Sequence, residues 1–421
     1  MSKPEIKIPF AIAAKSFFFM SFCFFLPLSK IVSSYIIAAI FISWLLEGKF
    51  IYRFKLVFKE KRRLFLFSLS IVYLLYLIGL LYTKNFAYAG FDLQVKLSLF
   101  LFPLLFATAD YKYYTNEKIG DYINLFGDGL LFASIICLGV AAYKYFFGDH
   151  DSSNFLYAKL SGALNFHPSY MAMYLNFAIM TVLTMMFSEI YYVSKQVSII
   201  KIVLFSIVII MLSSKAGILS MILTYMIFIV YLIIKLKKVK LGLIMILTVI
   251  VSCVGVFTLV PSAYNRLKQG FDVASKNKKD LKDEGESTSD RILIWNASSE
   301  IIKDNFWIGV GTGDVKDKLL EKYKEKNYMY AYERKLNSHN QFLQTFITLG
   351  VFGFVALLAS LIIPLIFAIK RNNLVHVFFL IIFIVNILVE SMLENQAGVV
   401  FYAFFASFLL MVSFKRTITD R

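Results

Sequence analysis

Long apolar stretches, each bounded by charged or turn residues, recur along almost the whole chain. A helix that crosses a bilayer needs roughly 20 mostly apolar residues. The pattern predicts twelve such helices, near residues 10–28, 31–46, 64–82, 96–109, 122–146, 169–187, 197–213, 216–234, 241–260, 342–369, 374–390 and 397–414. The fourth is short and contains Pro103. We therefore predict an all-α integral membrane protein in which residues 1–421 form a single polytopic domain.

One hydrophilic segment, Pro261 to Gln341, is far longer than the other breaks and lies between the ninth and tenth predicted helices. Helical spacing of apolar residues predicts two amphipathic helices within this embedded loop. Their apolar stripes contain Ile294, Trp295, Ala297, Ile301 and Ile302 in the first helix and Val315, Leu319 and Tyr323 in the second. Both stripes are expected to face the membrane surface.

A glycine-rich run from Gly309 to Gly313 separates these two helices. A dinucleotide-binding loop would need a preceding strand and a βαβ unit, and the pattern predicts neither. The run is therefore interpreted as a turn that lets the two helices meet.

Composition agrees with a membrane protein, because 59% of the residues are hydrophobic and the mean hydropathy is +0.70. The net charge of +17 would favour a nucleic-acid partner in a soluble protein, but the basic residues concentrate in alternate breaks, near 49–63, 235–240, 370–371 and 415–421. Cytoplasmic loops carry the excess of Lys and Arg in membrane proteins. We therefore predict that both termini are cytoplasmic and that the long loop is external, and we expect no nucleic-acid partner.

The three cysteines, Cys23, Cys137 and Cys253, each fall inside an apolar run. This spacing suits neither a disulfide framework nor a metal cluster. The predicted external segments also contain no metal-type histidine cluster. We expect neither a metal nor a cofactor.

His339 is the most informative residue of the long loop, since it stands directly before an apolar helix, where water meets the bilayer. Histidine is the side chain most readily poised for proton transfer near neutral pH. Its polar neighbours Asn337, Ser338, Asn340 and Gln341 could orient the ring. The alternative is a polar residue that merely begins a helix.

Three cations in the predicted external segments, Lys215, Arg266 and Arg291, could converge on a lipid phosphate. A guanidinium holds phosphate in a bidentate manner, whereas lysine acts as a point charge. For Arg266 the alternative role is to extend from the loop toward the membrane interface.

Three further residues border the predicted outer face. Glu390 and Glu394 are functional candidates as acidic residues near the membrane, and their competing role is an ion pair with Arg266 or Arg291. His167 precedes Pro168, so it either contacts substrate or simply ends a loop at the start of a helix.

Several short motifs of the chain resemble the O-antigen ligase family. In and after the long loop they are Arg291-Ile-Leu-Ile-Trp295, Gly309-Val-Gly311 and Ser338-His-Asn340. Elsewhere they are Phe91-Asp-Leu-Gln-Val-Lys96 with Pro103, His167-Pro-Ser-Tyr170 and Glu390-Ser-Met-Leu-Glu394. Each motif is short, but together they cover most of the chain.

The resemblance implies a GT-C-like inverting glycosyltransferase at the periplasmic face of the bacterial inner membrane. Its donor would be a glycan on undecaprenyl diphosphate, and its acceptor the lipid A core oligosaccharide. By resemblance, His339 would be the general base or would orient the acceptor hydroxyl, and Arg291 would hold the diphosphate. Lys215 would assist at a place where many members carry arginine. Substrate-binding roles are expected for Arg266, Asn340, His167 and Glu390.

Three other functions remain open at this stage. An O-antigen polymerase would use the same donor with a second lipid-linked repeat as acceptor. A protein O-oligosaccharyltransferase would transfer the glycan to protein hydroxyls, but such proteins tend to carry an extra soluble region after the last span. A transporter of the lipid-linked glycan would keep ionisable residues near mid-membrane, whereas here the polar residues collect on one face.

Overall fold

The protein is described by a computed structural model that covers residues 9–59, 62–187, 194–243, 245–247 and 287–419. These ranges contain helices and connecting turns and no strand. The α-helices are α1 (Phe10–Phe25), α2 (Lys30–Leu46), α3 (Phe50–Lys59), α4 (Arg63–Ile78), α5 (Phe86–Lys96), α6 (Ser98–Ala107), α7 (Asn116–Phe147), α8 (Tyr157–Ser161), α9 (Pro168–Met186), α10 (Lys195–Met211), α11 (Lys215–Ile234), α12 (Ser287–Asp304), α13 (Val315–Glu325), α14 (Met329–Glu333), α15 (Gln341–Lys370), α16 (Leu374–Ile387) and α17 (Gln396–Thr419).

Among the residues that the structure describes, seven helices are long and apolar enough to cross a membrane, or eight if α2 and Phe50–Phe58 form one span bent by 99°. The apolar helices α1 and α16 are shorter. An all-helical, multi-pass architecture is thereby confirmed. The count of twelve spans stays a prediction, and most of the ninth predicted span lies outside the described residues.

The fourth predicted span begins too late. The structure has a continuous candidate span over Phe86–Ala107, whereas the hydropathy pattern placed the residues before Lys96 in an external loop. Asp92 and Lys96 interrupt the apolar pattern, but they stand one helical turn apart and form a buried ion pair. Their mutual neutralisation lets the helix continue through both residues.

Polar side chains set the starts of several helices. Ser29 accepts a hydrogen bond from the backbone N–H of Val32 at the start of α2, and Ser214 accepts one from Gly217 at the start of α11. Such caps satisfy backbone donors that have no partner inside the helix.

The two ends of the helical bundle differ in their contacts. At one end, the basic end (residues 47–59, 62, 107–116 and 415), Arg53 donates to the Trp44 carbonyl and Arg62 donates to the Ala107 carbonyl. The opposite end, the loop end, contains residues 82–85, 287–341 and 390–396. There Asp314 accepts hydrogen bonds from the backbone N–H groups of Lys84 and Asn85 at 2.9 and 2.8 Å, which fixes the loop helices onto the bundle.

The two amphipathic loop helices are present as α12 and α13, but their apolar stripes do not face outward. They form a common core with α14 and α15. Its buried members are Ile294, Ala297, Ile301, Val310, Val315, Leu319, Tyr323, Ala331 and Ile347. The predicted orientation toward the membrane surface is therefore wrong for these residues, because the helices bury their apolar area against one another.

The glycine-rich run is a turn that packs against a kink in α15. Backbone hydrogen bonds join Val310 N–H to the Ile347 carbonyl at 2.9 Å and Val351 N–H to the Phe306 carbonyl at 2.9 Å. Gly309 and Gly350 both have left-handed φ angles, of 71° and 64°. A Cβ on Gly350 would stand 2.2 Å from the Trp307 carbonyl oxygen. Glycine is thus required by close backbone approach, as the interpretation of this run as a turn predicts.

Candidate active site at the loop end

His339 occupies a constrained turn immediately before α15. Its φ angle is 43°, a left-handed value that costs energy for a non-glycine residue. The Asn337 side chain accepts a hydrogen bond from the His339 backbone N–H at 3.0 Å. The Ser338 hydroxyl, which is fully buried, donates to the Gln344 side chain at 2.6 Å. The turn therefore holds the imidazole in one place.

Glu390 is the direct partner of His339. Its Oε1 lies 3.0 Å from His339 Nδ1, and its Oε2 lies 3.7 Å from a terminal nitrogen of Arg291. The Glu390 side chain is 9% exposed. One buried carboxylate thus joins two residues that the sequence singled out separately.

This arrangement determines the charge of Glu390 and the tautomer of His339. Burial alone would raise the pKa of the Glu390 carboxyl, but the hydrogen bond and charge of His339 and the charge of Arg291 lower it to about 2. An ionised carboxylate can only accept a hydrogen bond, so His339 Nδ1 must carry the hydrogen. In the neutral ring, Nε2 then holds the lone pair that can accept a proton.

Arg291 reaches this cluster from the first turns of α12. The same helix is tied to the histidine turn by Trp295, whose indole N–H donates to the Ser338 carbonyl at 3.0 Å. The Arg291 side chain is 23% exposed. Helix α12 therefore carries both a cation and an anchor for the His339 turn.

A cavity of about 220 Å³ opens beside these groups. It is lined by residues with polar or ionisable side chains: His167, Tyr170, Asn337, His339, Glu390, Ser391, Glu394 and Asn395. Three of the predicted site residues, His167, His339 and Glu390, thus meet in one cavity. Glu394, which the sequence indicates as an acidic candidate beside Glu390, also lines the cavity. Tyr170 was not selected from the sequence, although it stood in a quoted motif, and no sequence signal pointed to Asn395.

His167 combines the two roles that the sequence left open. It begins α9, where its Nδ1 accepts a weak hydrogen bond from Ser169 N–H at 3.4 Å. Its ring also packs edge-on against Tyr157 and Tyr170. Burial lowers the pKa of His167, opposed by the charge of Glu390. The neutral imidazole is therefore favoured as part of the cavity wall.

Lys215 and Asn340 lie beside the cavity and not in its lining. Lys215 Nζ donates to the Thr288 hydroxyl at 2.7 Å, which brings it to the start of α12, one turn before Arg291. Asn340 caps α15 through Leu343 N–H, and its amide donates to the Leu388 carbonyl at 2.9 Å. Both side chains connect helices or turns that surround the cavity. The third predicted cation, Arg266, lies outside the described residues.

Comparison with known proteins agrees with the motifs. The family model described as O-antigen ligase matches residues 200–358, a little over a third of the chain. The matched segment contains Lys215, Arg291 and His339, and it ends before Glu390. No curated protein matches the chain significantly. The resemblance to O-antigen ligases is thus confirmed over this segment, and it supports a lipid-linked glycan transferase of that type.

Proposed function

We propose that this protein is an inverting glycosyltransferase that moves O-antigen glycan from undecaprenyl diphosphate to the lipid A core oligosaccharide. The observation that carries the proposal is the cluster of His339, Glu390 and Arg291 at the loop end, in which His339 and Glu390 also line one cavity. The family match over residues 200–358 supplies the substrate class. The charge bias of the loops supports a periplasmic site in the inner membrane, with both termini cytoplasmic.

In the proposed acceptor step, a sugar hydroxyl loses its proton to Nε2 of His339. Glu390 stays ionised and stabilises the imidazolium that forms. The hydroxyl oxygen attacks the anomeric carbon from the face opposite the leaving group. The new C–O bond forms as the bond to the diphosphate breaks, which inverts the configuration at that carbon.

The leaving diphosphate gains negative charge in this step. Arg291 stands beside the cavity, and the Lys215–Thr288 hydrogen bond places a second cation at the start of the same helix. Arg266 is assigned to the same role by the sequence. Fixed cations in a site shielded from water stabilise developing charge without any cost of reorganisation.

Because fixed cations neutralise the diphosphate, the proposed transfer needs no metal and no nucleotide cofactor. We expect the purified protein to keep its transfer rate after EDTA treatment. A rate that falls on chelation and returns with added Mg²⁺ would contradict this expectation.

Expression in a ligase-deficient strain tests the proposed reaction. The expected result is that O-antigen again caps the lipid A core, visible as a ladder of lipopolysaccharide on a gel. An altered O-chain length distribution without restored capping would instead identify a polymerase. Modification of protein and not of lipid would identify a protein O-oligosaccharyltransferase.

A further inference from the structure

A second carboxylate, Glu394, lines the same cavity as His339 and Glu390. It belongs to a short 3₁₀ turn, Met392–Glu394, that follows Glu390 closely in the chain. Its side chain is 10% exposed, so it is largely enclosed by protein and still reaches the cavity.

The position of Glu394 is set by a lysine from another helix. Lys96 Nζ lies 3.0 Å from Glu394 Oε2, and the lysine is completely buried. Gln341 also fixes the Glu394 turn. Its amide donates to Glu394 Oε1 at 3.3 Å, and its side-chain oxygen accepts from Leu393 N–H at 2.7 Å. Glu394 is therefore fixed at both of its oxygens.

The charges around Lys96 do not balance. Asp92 already forms a close ion pair with Lys96 on the same helix, so this lysine is neutralised without Glu394. Two carboxylates thus share one buried cation, and a surplus negative charge remains at the cavity wall. A buried charge is costly unless hydrogen-bond donors satisfy it.

The rest of the lining indicates which donors would fit. Ser391, Asn337 and Asn395 present neutral polar groups, and Tyr170 presents an aromatic ring. Hydroxyl donors of a sugar suit such a wall better than an anionic group does. The carboxylates of Glu390 and Glu394 would repel an anion.

We propose that Glu394 binds hydroxyl groups of the acceptor sugar and so helps to select the acceptor, with Lys96 as the positioning residue behind it. This role rests on the proposed glycan transfer. A carboxylate that accepts hydrogen bonds equally in the ground state and the transition state lowers the acceptor KM and leaves kcat unchanged.

The test uses the purified full-length protein, an undecaprenyl-diphosphate-linked glycan as donor, and lipid A core from a ligase-deficient strain as acceptor. We expect Glu394→Gln to raise the acceptor KM about tenfold, the effect of weakening a hydrogen bond to a charged group. The donor KM and kcat at saturating acceptor should stay within about twofold. Glu394→Ala should raise the acceptor KM further.

Glu47→Gln is the matched control. Glu47 is likewise a buried carboxylate paired with a lysine, Lys15. It follows the last residue of α2 at the basic end of the bundle, and the length of that helix separates it from the loop end by about 25 Å. Its loss should lower the melting temperature and leave the acceptor KM unchanged. Lys96→Met should raise the acceptor KM less than Glu394→Ala does.

Three outcomes would overturn the role of Glu394. An unchanged acceptor KM in Glu394→Ala would leave it a purely structural partner of Lys96, as would a KM change that Glu47→Gln reproduces. A fall in kcat alone would place it in the chemical step. A wild-type protein that transfers glycan to no acceptor would overturn the proposed function itself, which separates the two failures.

Discussion

Glu390 contacts both His339 and Arg291, so one carboxylate bears on the tautomer of the histidine and on the position of the arginine. The sequence offered two readings of this residue, a functional acid or the ion-pair partner of an external arginine. The structure shows the ion pair within the same cluster as the histidine. The two readings are therefore compatible.

At His339, we expect alanine to lower kcat by about 10²- to 10⁴-fold, the usual contribution of a general base. The protein should still insert and fold, because the turn is held by backbone and neighbouring side-chain contacts. Transfer rates of purified variants measure the effect. His150→Ala is the control, since His150 is exposed in another loop. A fully active His339→Ala variant would remove this residue from the chemistry.

At Glu390, a pH dependence of stability follows from the lowered pKa. The folded-state pKa is about 2 against an ordinary value of 4.5, so the unfolded chain takes up the proton first. The stabilisation by this carboxylate is complete above about pH 4.5 and is lost as the pH falls toward 2.

We therefore expect the melting temperature of wild type to exceed that of Glu390→Gln at neutral pH, with a difference that shrinks between pH 4.5 and 2. Glu333→Gln, at an exposed carboxylate, should show no such convergence. A difference between wild type and Glu390→Gln that stays constant across this pH window would contradict the assignment.

At the scale of elements, the pairing of the glycine turn with the kink in α15 positions the described part of the loop, residues 287–341. Alanine at Gly350 is expected to destabilise the protein by about 1–3 kcal/mol from the left-handed backbone alone. The close approach to the Trp307 carbonyl adds to this cost. Thermal unfolding in detergent measures the loss. Gly139→Ala, where a Cβ meets open space in α7, should be nearly neutral, and equal effects at the two glycines would refute the pairing.

Hydropathy predicted most of the helices and misplaced those whose charges are paired inside the bundle. For the span over Phe86–Ala107, hydropathy predicts a helix that is too short, because Asp92 and Lys96 look like loop residues until their pairing is seen. Where α3 lies, the sequence pattern predicts a basic loop, since the buried Arg53 finds carbonyl partners only in the folded protein. Periodicity also predicts that a stripe exists in α12 and α13, but not which surface covers it.

At the scale of the whole molecule, the candidate site was predicted residue by residue but not as an assembly. His339, Arg291 and Glu390 were each selected from local chemistry or resemblance. Their meeting depends on how α12, α15 and the turn after α16 pack, and contacts so distant in sequence leave no local pattern. The cavity residue Asn395 was missed for the same reason.

The orientation of the molecule gives a prediction at this scale. The site residues lie at the loop end, and the clusters of basic residues lie mainly at the opposite end. We expect an impermeant maleimide to label Lys318→Cys, in α13, in intact cells, because its side chain is 49% exposed.

Lys112→Cys, at the basic end and 54% exposed, should be labelled only after permeabilisation. Cys23 and Cys137 are buried, and a Cys253→Ser background removes the third thiol. Labelling of Lys112→Cys in intact cells would contradict the predicted topology, in which the basic end is cytoplasmic.

Glu390 stands between the group proposed to take the acceptor proton and the cation proposed to face the donor diphosphate. A proton that reaches His339 strengthens the attraction of Glu390 to the imidazole and weakens its competition for Arg291. Donor and acceptor affinities are then thermodynamically coupled through a single side chain, and this coupling is reciprocal. The Kd for the donor should therefore differ between the free protein and its acceptor complex, and Glu390→Gln should abolish that cooperativity.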